Sequence, residues 1–248
     1  MKGRNGKVRH GLWKCYERDC RKQFTCTVGT VFESRHIPLN KMLQAVYLMS
    51  ASKKGCSAHQ LHRTLEVTYK TAWFLAHRIR EAMRDGTLAP MGGAGGVIEV
   101  DETYIGRLEG QPKGKAGFAH KNTVLTLVER GGSARSFHID SASASNIAPI
   151  VRANVSRETA MMTDEARIYV NLGKEFSSHG TVEHSTKEYV RYEANITVHT
   201  NTVEGYYSIF KRGMKGVYQH CAEKHLHRYL AEFDFRYNNR VALGVPPY

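Results

Sequence analysis

Apolar residues recur at helical spacing in the first third of the chain and in short strand-like runs beyond it. Pro38 opens a helical pattern over 39–49, LNKMLQAVYLM, where its fixed φ suits a first turn. Ser57 is a good N-cap for a second helix that runs through Leu61 to Leu65. After Glu66 and Val67, Thr68 can cap a third helix reaching about residue 83. Ala72, Leu75, Ala76 and Ile79 give it an inward face at three- and four-residue spacing. Residues 86–96, GTLAPMGGAGG, read as a linker. Past it the period changes to that of strands, at 97–104, 123–129 and 134–139, separated by a Gly- and Lys-rich loop over 106–121 and a turn at Gly131 and Gly132. A helix at 144–154, a strand at 159–163, a short helix near 165–172 and a strand near 181–185 follow, and helices at about 201–214 and 222–238 close the chain. This order predicts a mixed α/β sheet with helices on both faces.

Length and charge narrow the picture. With 248 residues there is room for one large domain and an appendage, or two modest domains. Lys and Arg number 36 against 23 Asp and Glu, a formal charge of +13. Such an excess draws polyanions, through release of counterions when phosphates are neutralised. No apolar run approaches the ~18 residues that span a bilayer, and no secretory signal is evident, so the expectation is a cytoplasmic protein with no membrane partner. Five cysteines, three of them within 15–26, suit a reducing compartment and a metal role better than a disulfide framework.

Candidate chemistry concentrates in three segments. VIEVDETYIG, at 97–106, reads as a β-branched strand delivering Asp101 to its end, and AMMTD, at 160–164, repeats the pattern with Asp164. In HTNTVEGYYSIFK, at 199–211, a helix from residue 200 puts Val203, Tyr206, Tyr207, Phe210 and Met214 on one face. Asn201, Glu204, Ser208, Lys211 and Lys215 fall on a separate polar face. Two strand ends and one helix thus display the three carboxylates that a two-metal phosphoryl-transfer site needs, since hard divalent cations take oxygen ligands. The plainer reading of that helix is an amphipathic segment with a solvated face, and of each Asp, a turn or cap. Strand alternation puts Glu99 on the face of Asp101 and Glu102 on the other, making Glu99 the better candidate for a supporting group.

The segment 57–83 has the proportions of a helix-turn-helix, with Tyr69, Lys70, His77, Arg78 and Arg80 as candidates for DNA contact, Tyr69 and Lys70 foremost. A small bundle with a solvated basic face is the alternative. Cys15 and Cys20, with four residues between them, Cys26 beyond and His10 before, make a poor zinc knuckle, because ribbon sites want two pairs with about two residues between partners. Cys56 and Cys221 stand alone. His199, His220, His225 and His227 flank the third motif, and His225 and His227 read as part of a basic surface. Phe233, Phe235 and Tyr237 read as packing.

Together KQFT (22–25), VGTVFE (28–33), KTAW (70–73), HRIRE (77–81), VDETY (100–104), HTNTVE (199–204) and FDFRYNNR (233–240) resemble the ISXO-like group of DDE transposases from bacterial insertion sequences, over nearly the whole chain. The resemblance implies a partial zinc-ribbon-like segment at 1–36, a helical helix-turn-helix region at 37–86 and an RNase H-like catalytic domain at 97–240. It further implies that Asp101, Asp164 and Glu204 bind two Mg²⁺ or Mn²⁺ ions, with Asn201 in support of Glu204. Lys211 would contact DNA, with Lys215 beside it on the same face, as would Tyr69, Lys70 and Arg78. Related transposases carry a further cysteine pair ahead of this region, so the expectation is an incomplete Zn²⁺ site at Cys15 and Cys20, through truncation or decay. The implied partners are double-stranded DNA, both transposon ends and target, and further copies of the chain, at the bacterial nucleoid. Two rival expectations stand beside it: an RNase H-like nuclease without strand transfer, and a transposase-derived DNA-binding protein that no longer cuts.

Overall fold

The computed structural model describes residues 11–34, 36–84, 86, 89–111, 117–186, 188–193 and 196–244. Two short strands, β1 (Leu12–Lys14) and β2 (Gln23–Thr25), form an antiparallel hairpin. Three helices follow: α1 (Leu39–Ala51), α2 (Ala58–Leu65) and α3 (Tyr69–Ala82). The caps fall where the sequence puts them. Ser57 accepts from the Gln60 amide and Thr68 from the Thr71 amide, each relieving a donor that a helix start leaves bare. Between them Glu66 takes a left-handed conformation, φ 51°, which stops α2 and turns the chain into α3. Met42, Met49, Leu61, Leu65, Leu75 and Ile79 close one core among these helices.

The rest of the chain is built on a five-stranded sheet. Its strands are β3 (Val97–Ile105), β4 (Asn122–Glu129), β5 (Ala134–Ile139), β6 (Ala160–Asp164) and β7 (Ser178–Val182). Their order is β5-β4-β3-β6-β7, with β3, β4 and β5 antiparallel and β6 and β7 parallel to β3. On one face lie α4 (Ala144–Asn154) and the one-turn α5 (Val170–Gly173), closing a core with Ile98, Val100, Leu125, Leu127 and Met161. On the other lie α6 (Asn201–Gly213) and α7 (Leu226–Asn238), with Ile105, Val124, Val128 and Ala134 beneath Val203, Tyr207, Phe210 and Phe233. The mixed sheet with helices on both faces is compatible with an RNase H-like fold. A hairpin that the residue pattern did not announce, β8 (Val190–Glu193) with β9 (Ile196–His199), leads into α6, and β7 begins three residues before its expected start.

The helical region is packed against the sheet domain rather than tethered beside it. Arg80 of α3 donates to Glu232 of α7 at 2.7 Å, and Arg236 and Tyr218 also donate to Glu232. Arg80 is 2 % exposed and His77 5 %, which corrects the expectation that either faces DNA. Helical periodicity places both beside the apolar stripe, and α7 covers that side, a contact that no local pattern encodes. Gly213 is required at this junction, because a Cβ there would meet the Lys54 carbonyl at 2.6 Å and Phe233 at 2.4 Å.

Candidate active site

The parallel register of β3 and β6 aligns Glu99 with Met162. Carried two residues further, it sets Asp164 beside Asp101, both side chains on the α6 face. Tyr207, in the second turn of α6, donates its hydroxyl to the Asp101 carbonyl at 2.6 Å, pinning that helix across β3. Glu204 lies in the first turn of α6, so the three acids singled out in the sequence come together, but Asp101 sits at the middle of β3 rather than at its end as the sequence reading has it, and only Asp164 closes its strand. Glu204 is turned toward His184 and Thr200: its Oε1 stands 3.4 Å from His184 Nε2 and accepts from Thr200 Oγ1 at 3.2 Å. No motif or spacing in the chain singles out His184. Asn201 is exposed at the first position of α6, its amide donating to His199 Nδ1.

Glu99 is fully buried and does what a cap residue does, from a distant strand. It accepts from the Thr202 and Val203 amides at 2.7 and 2.9 Å and from Thr202 Oγ1 at 2.8 Å. Arg130 Nε donates to it at 2.7 Å, and His199 Nδ1 lies 3.0 Å away. Thr200, the residue at the cap position itself, makes no side-chain cap bond, so Glu99 holds the start of the helix that carries Glu204. The supporting role expected of Glu99 thus has a definite form.

Burial is the main cause that raises the Asp101 carboxyl to about 8, with Glu102, Asp164 and Glu204 repelling its charge and the Glu102 amide partly offsetting them. Glu102 points to the opposite face, as alternation requires, and accepts from the buried Tyr169 hydroxyl. Yet it is raised to about 7, first by burial and then by Asp164, against the Tyr169 bond. The sequence reading set Glu102 aside, but it belongs to the same electrostatic cluster. Among the described residues no salt bridge reaches Asp101, Glu102 or Asp164. The oxygen donors fit a hard divalent cation in kind, and their unrelieved repulsion is what a cation would remove. No three His, Cys, Asp or Glu side chains among the described residues form a closed metal cage, because Glu204 is engaged by His184.

Basic groups border the acids. Lys211 Nζ sits 5.6 Å from the Tyr207 ring centre, and its ammonium is lowered, chiefly by burial and then by Lys215 and Lys121, while Asp101 and Glu204 pull the other way. Lys215 is exposed on the single wide turn, Met214–Tyr218, that ends α6. On α3, Tyr69 is 45 % exposed and packs on His59, and Lys70 is exposed. Arg78 donates to the Glu33 carbonyl at 2.7 Å, so it ties the N-terminal segment to α3. Cys15 and Cys20 both lie in the loop joining β1 to β2, and Cys26 lies just past β2. No third ligand joins them among the described residues, and His10 lies outside these. Cys56 is buried in the helical core. Phe233, Phe235 and Tyr237 pack into cores, as read.

A mixed five-stranded sheet that gathers carboxylates from the middle of β3 and the end of β6, under a helix bearing a further acid and a lysine, defines a class of acidic site bordered by basic groups. Residues 93–238 match the model of the ISXO2-like transposase domain, and the chain belongs to that family of insertion-sequence transposases. It is 28% identical over 249 residues to an uncharacterized protein in transposable element ISH50 of Halobacterium salinarum, covering 92% of this chain and 81% of that protein. A solved structure, the simian T-cell lymphotropic virus intasome in complex with PP2A regulatory subunit B56 gamma, aligns with a TM-score of 0.35 at 14% identity. That alignment covers 71% of this chain and 63%, less than two thirds, of the other. Among the described residues no helix is long and apolar enough to cross a membrane.

Proposed function

We propose that this transposase cuts phosphodiester bonds at the ends of its element and joins the freed 3′-OH to target DNA at Asp101, Asp164 and Glu204. The observation that carries the reading is the convergence of Asp101 and Asp164 on adjacent parallel strands beneath α6, with Asp101 raised by its acidic neighbours and no salt bridge to either among the described residues. A pair of Mg²⁺ or Mn²⁺ ions bound there supplies activation of the attacking oxygen and neutralisation of the leaving one. Asp101 and Asp164 would hold the ions from the sheet, and Glu204 would join them on leaving His184, while Glu99 keeps α6 in place. Lys211 and Lys215 bind phosphates beside the acids, where a point charge suffices. In the first step water attacks phosphorus and the 3′ oxygen leaves as a hydroxyl. In the second that hydroxyl attacks a target phosphodiester, forming one ester bond and releasing one, so no external energy source is needed.

End recognition falls to α2 and α3 as a helix-turn-helix, with Tyr69 and Lys70 toward DNA and Arg78 bracing the helix through Glu33. This assigns 37–86 to DNA binding and 97–240 to catalysis, with 1–36 as a partial ribbon whose Cys15 and Cys20 offer an incomplete site for Zn²⁺. Pairing two ends calls for a homo-oligomer on DNA, in the cytoplasm at the nucleoid.

The test is strand cleavage and joining on a labelled end duplex with Mg²⁺ or Mn²⁺, wild type against Asp164→Ala. Metal-dependent joining that vanishes in the variant supports the proposal. Cleavage without joining points to a nuclease, and binding without cleavage to a protein that only recognises DNA.

A further inference from the structure

A second set of groups lies beyond the carboxylates, at the far end of β3, and of its members only Lys215 has a part in the steps above. Asn122, the first residue of β4, is 2 % exposed. Its Nδ2 donates to the Ile105 carbonyl at 3.4 Å. A carbonyl only accepts, so the amide orientation is fixed and Oδ1 is the atom left over. Among the described residues no group donates to that oxygen, and a buried polar atom without a partner is an exception that calls for a ligand or another explanation. Asn122 lines a cavity of about 290 Å³ together with Tyr104, Lys121 and Lys215. At its rim Phe118 stacks on Tyr104, with ring centres 4.5 Å apart and planes 10° apart, yet 53 % of Phe118 stays exposed. Lys121 Nζ is 4.9 Å from the Phe118 ring centre. Lys121 and Lys215 both lie within electrostatic reach of Lys211, which in turn feels Asp101 and Glu204, so the cavity adjoins the acidic site.

We infer that this cavity receives one unstacked nucleotide of the DNA strand flanking the cleaved bond. Its base lies on Phe118, its phosphate is held by Lys121 and Lys215, and a base N–H is donated to Asn122 Oδ1. An open aromatic face, two ammonium groups and a lone buried acceptor are the complement of a nucleotide's ring, phosphate and edge. A base still in the duplex stack offers no free face, so the nucleotide must be turned out of it. The inference rests on the proposal that DNA is cut at the neighbouring carboxylates.

The test uses end duplexes that each carry one abasic position near the cleaved bond, with cleavage rate and binding anisotropy both read for wild type, Phe118→Ala and Phe118→Trp. At one position the missing base should slow and weaken wild type about tenfold, within the range that stacking on an aromatic ring contributes. Phe118→Ala should show that same loss on intact DNA and no further loss on the abasic duplex, while Phe118→Trp restores the wild-type pattern. Asn122→Ala should reduce the penalty at that position and at no other. Equal abasic penalties in wild type and Phe118→Ala at every position would overturn the inference. A wild type that cuts no end DNA would sink the transposase chemistry instead, and the anisotropy series would still decide the cavity.

Discussion

Glu99 and Asp101 stand two residues apart on one face of β3, both shielded from solvent, and their surroundings are opposite. Around Glu99 the fold has gathered an arginine, a hydroxyl, two helix amides and a histidine. Around Asp101 it has gathered Glu102, Asp164 and Glu204, with one amide in opposition. Glu232, at the junction of the helical region and the sheet, belongs with Glu99, because Arg80, Arg236 and Tyr218 all donate to it. A buried acid surrounded by donors holds elements together. A buried acid surrounded by acids opposes folding and stays only where something else completes it, the part we propose for a cation and a phosphate. Position on the same strand therefore says little about role, and the charge of the neighbours says a good deal.

Exchanging the members of this contrast gives the largest effects. Asp101→Asn should lower the rate of end cleavage about a thousandfold, the scale on which single strong electrostatic contacts act in active sites. The same change should leave the unfolding midpoint unchanged or raise it, since repulsion is removed. A fall in both would place Asp101 with the structural acids. Glu232→Ala should do the reverse to stability, at a cost of about 3–5 kcal/mol in urea unfolding, because it strands a buried Arg80. Glu99→Ala falls between them. Losing the charged cap should cost roughly 1–3 kcal/mol and slow cleavage by loosening α6, with binding of the DNA end retained. Cleavage at the wild-type rate in Glu99→Ala would show that α6 does not depend on this cap.

Much of this contrast was legible in the chain before any coordinates, and the part that was not has a common cause. The strands bearing Asp101 and Asp164 follow from β-branched and apolar runs, although only Asp164 ends its strand and β3 continues past Asp101 to Ile105, and the separation of Glu204 and Lys211 from Tyr206 and Tyr207 follows from helical period. Those are local signals. That Asp164 neighbours Asp101 rests on the parallel register of β3 and β6, which no local pattern encodes. Glu102 was set aside because alternation turns it away from Asp101, correctly, but Tyr169 arrives from a turn 67 residues on and holds it within the field of Asp164. His77 and Arg80 read as outward because only one partner surface for α3 was visible; α7 supplies the second. The β8–β9 hairpin had a signal, the alternation of Val190 with Tyr192 and of Ile196 with Val198, but its polar context concealed it. His184 and Asn122 matter through the single atoms they face, and no spacing reveals that.

The smallest effect at any one pH comes from a buried base that has neither kind of neighbour. Both ring nitrogens of His77 lack a hydrogen-bond partner, and Trp73, Tyr229 and His225 enclose the ring. Burial, then the charges of Arg80, His225, Arg228 and His227, depress it from 6.5 to about 3. The unfolded chain therefore takes up this proton near pH 6.5 while the folded chain refuses it until near 3. The stability this neutral ring allows is whole above about pH 6.5 and drains as the pH falls, at up to about 1.4 kcal/mol per pH unit. His225 and His227 are also lowered and act in the same direction, so His77→Phe should flatten the dependence between pH 6.5 and 5 without abolishing it. Asp101 and Glu102, raised to about 8 and about 7, pull the other way across that window in both proteins, so the difference in slope between wild type and His77→Phe is what isolates His77. Unfolding free energies that fall equally steeply in wild type and His77→Phe across it would mean that His77 is protonated in the fold, with Trp73 and Tyr229 stabilising the cation through their ring faces.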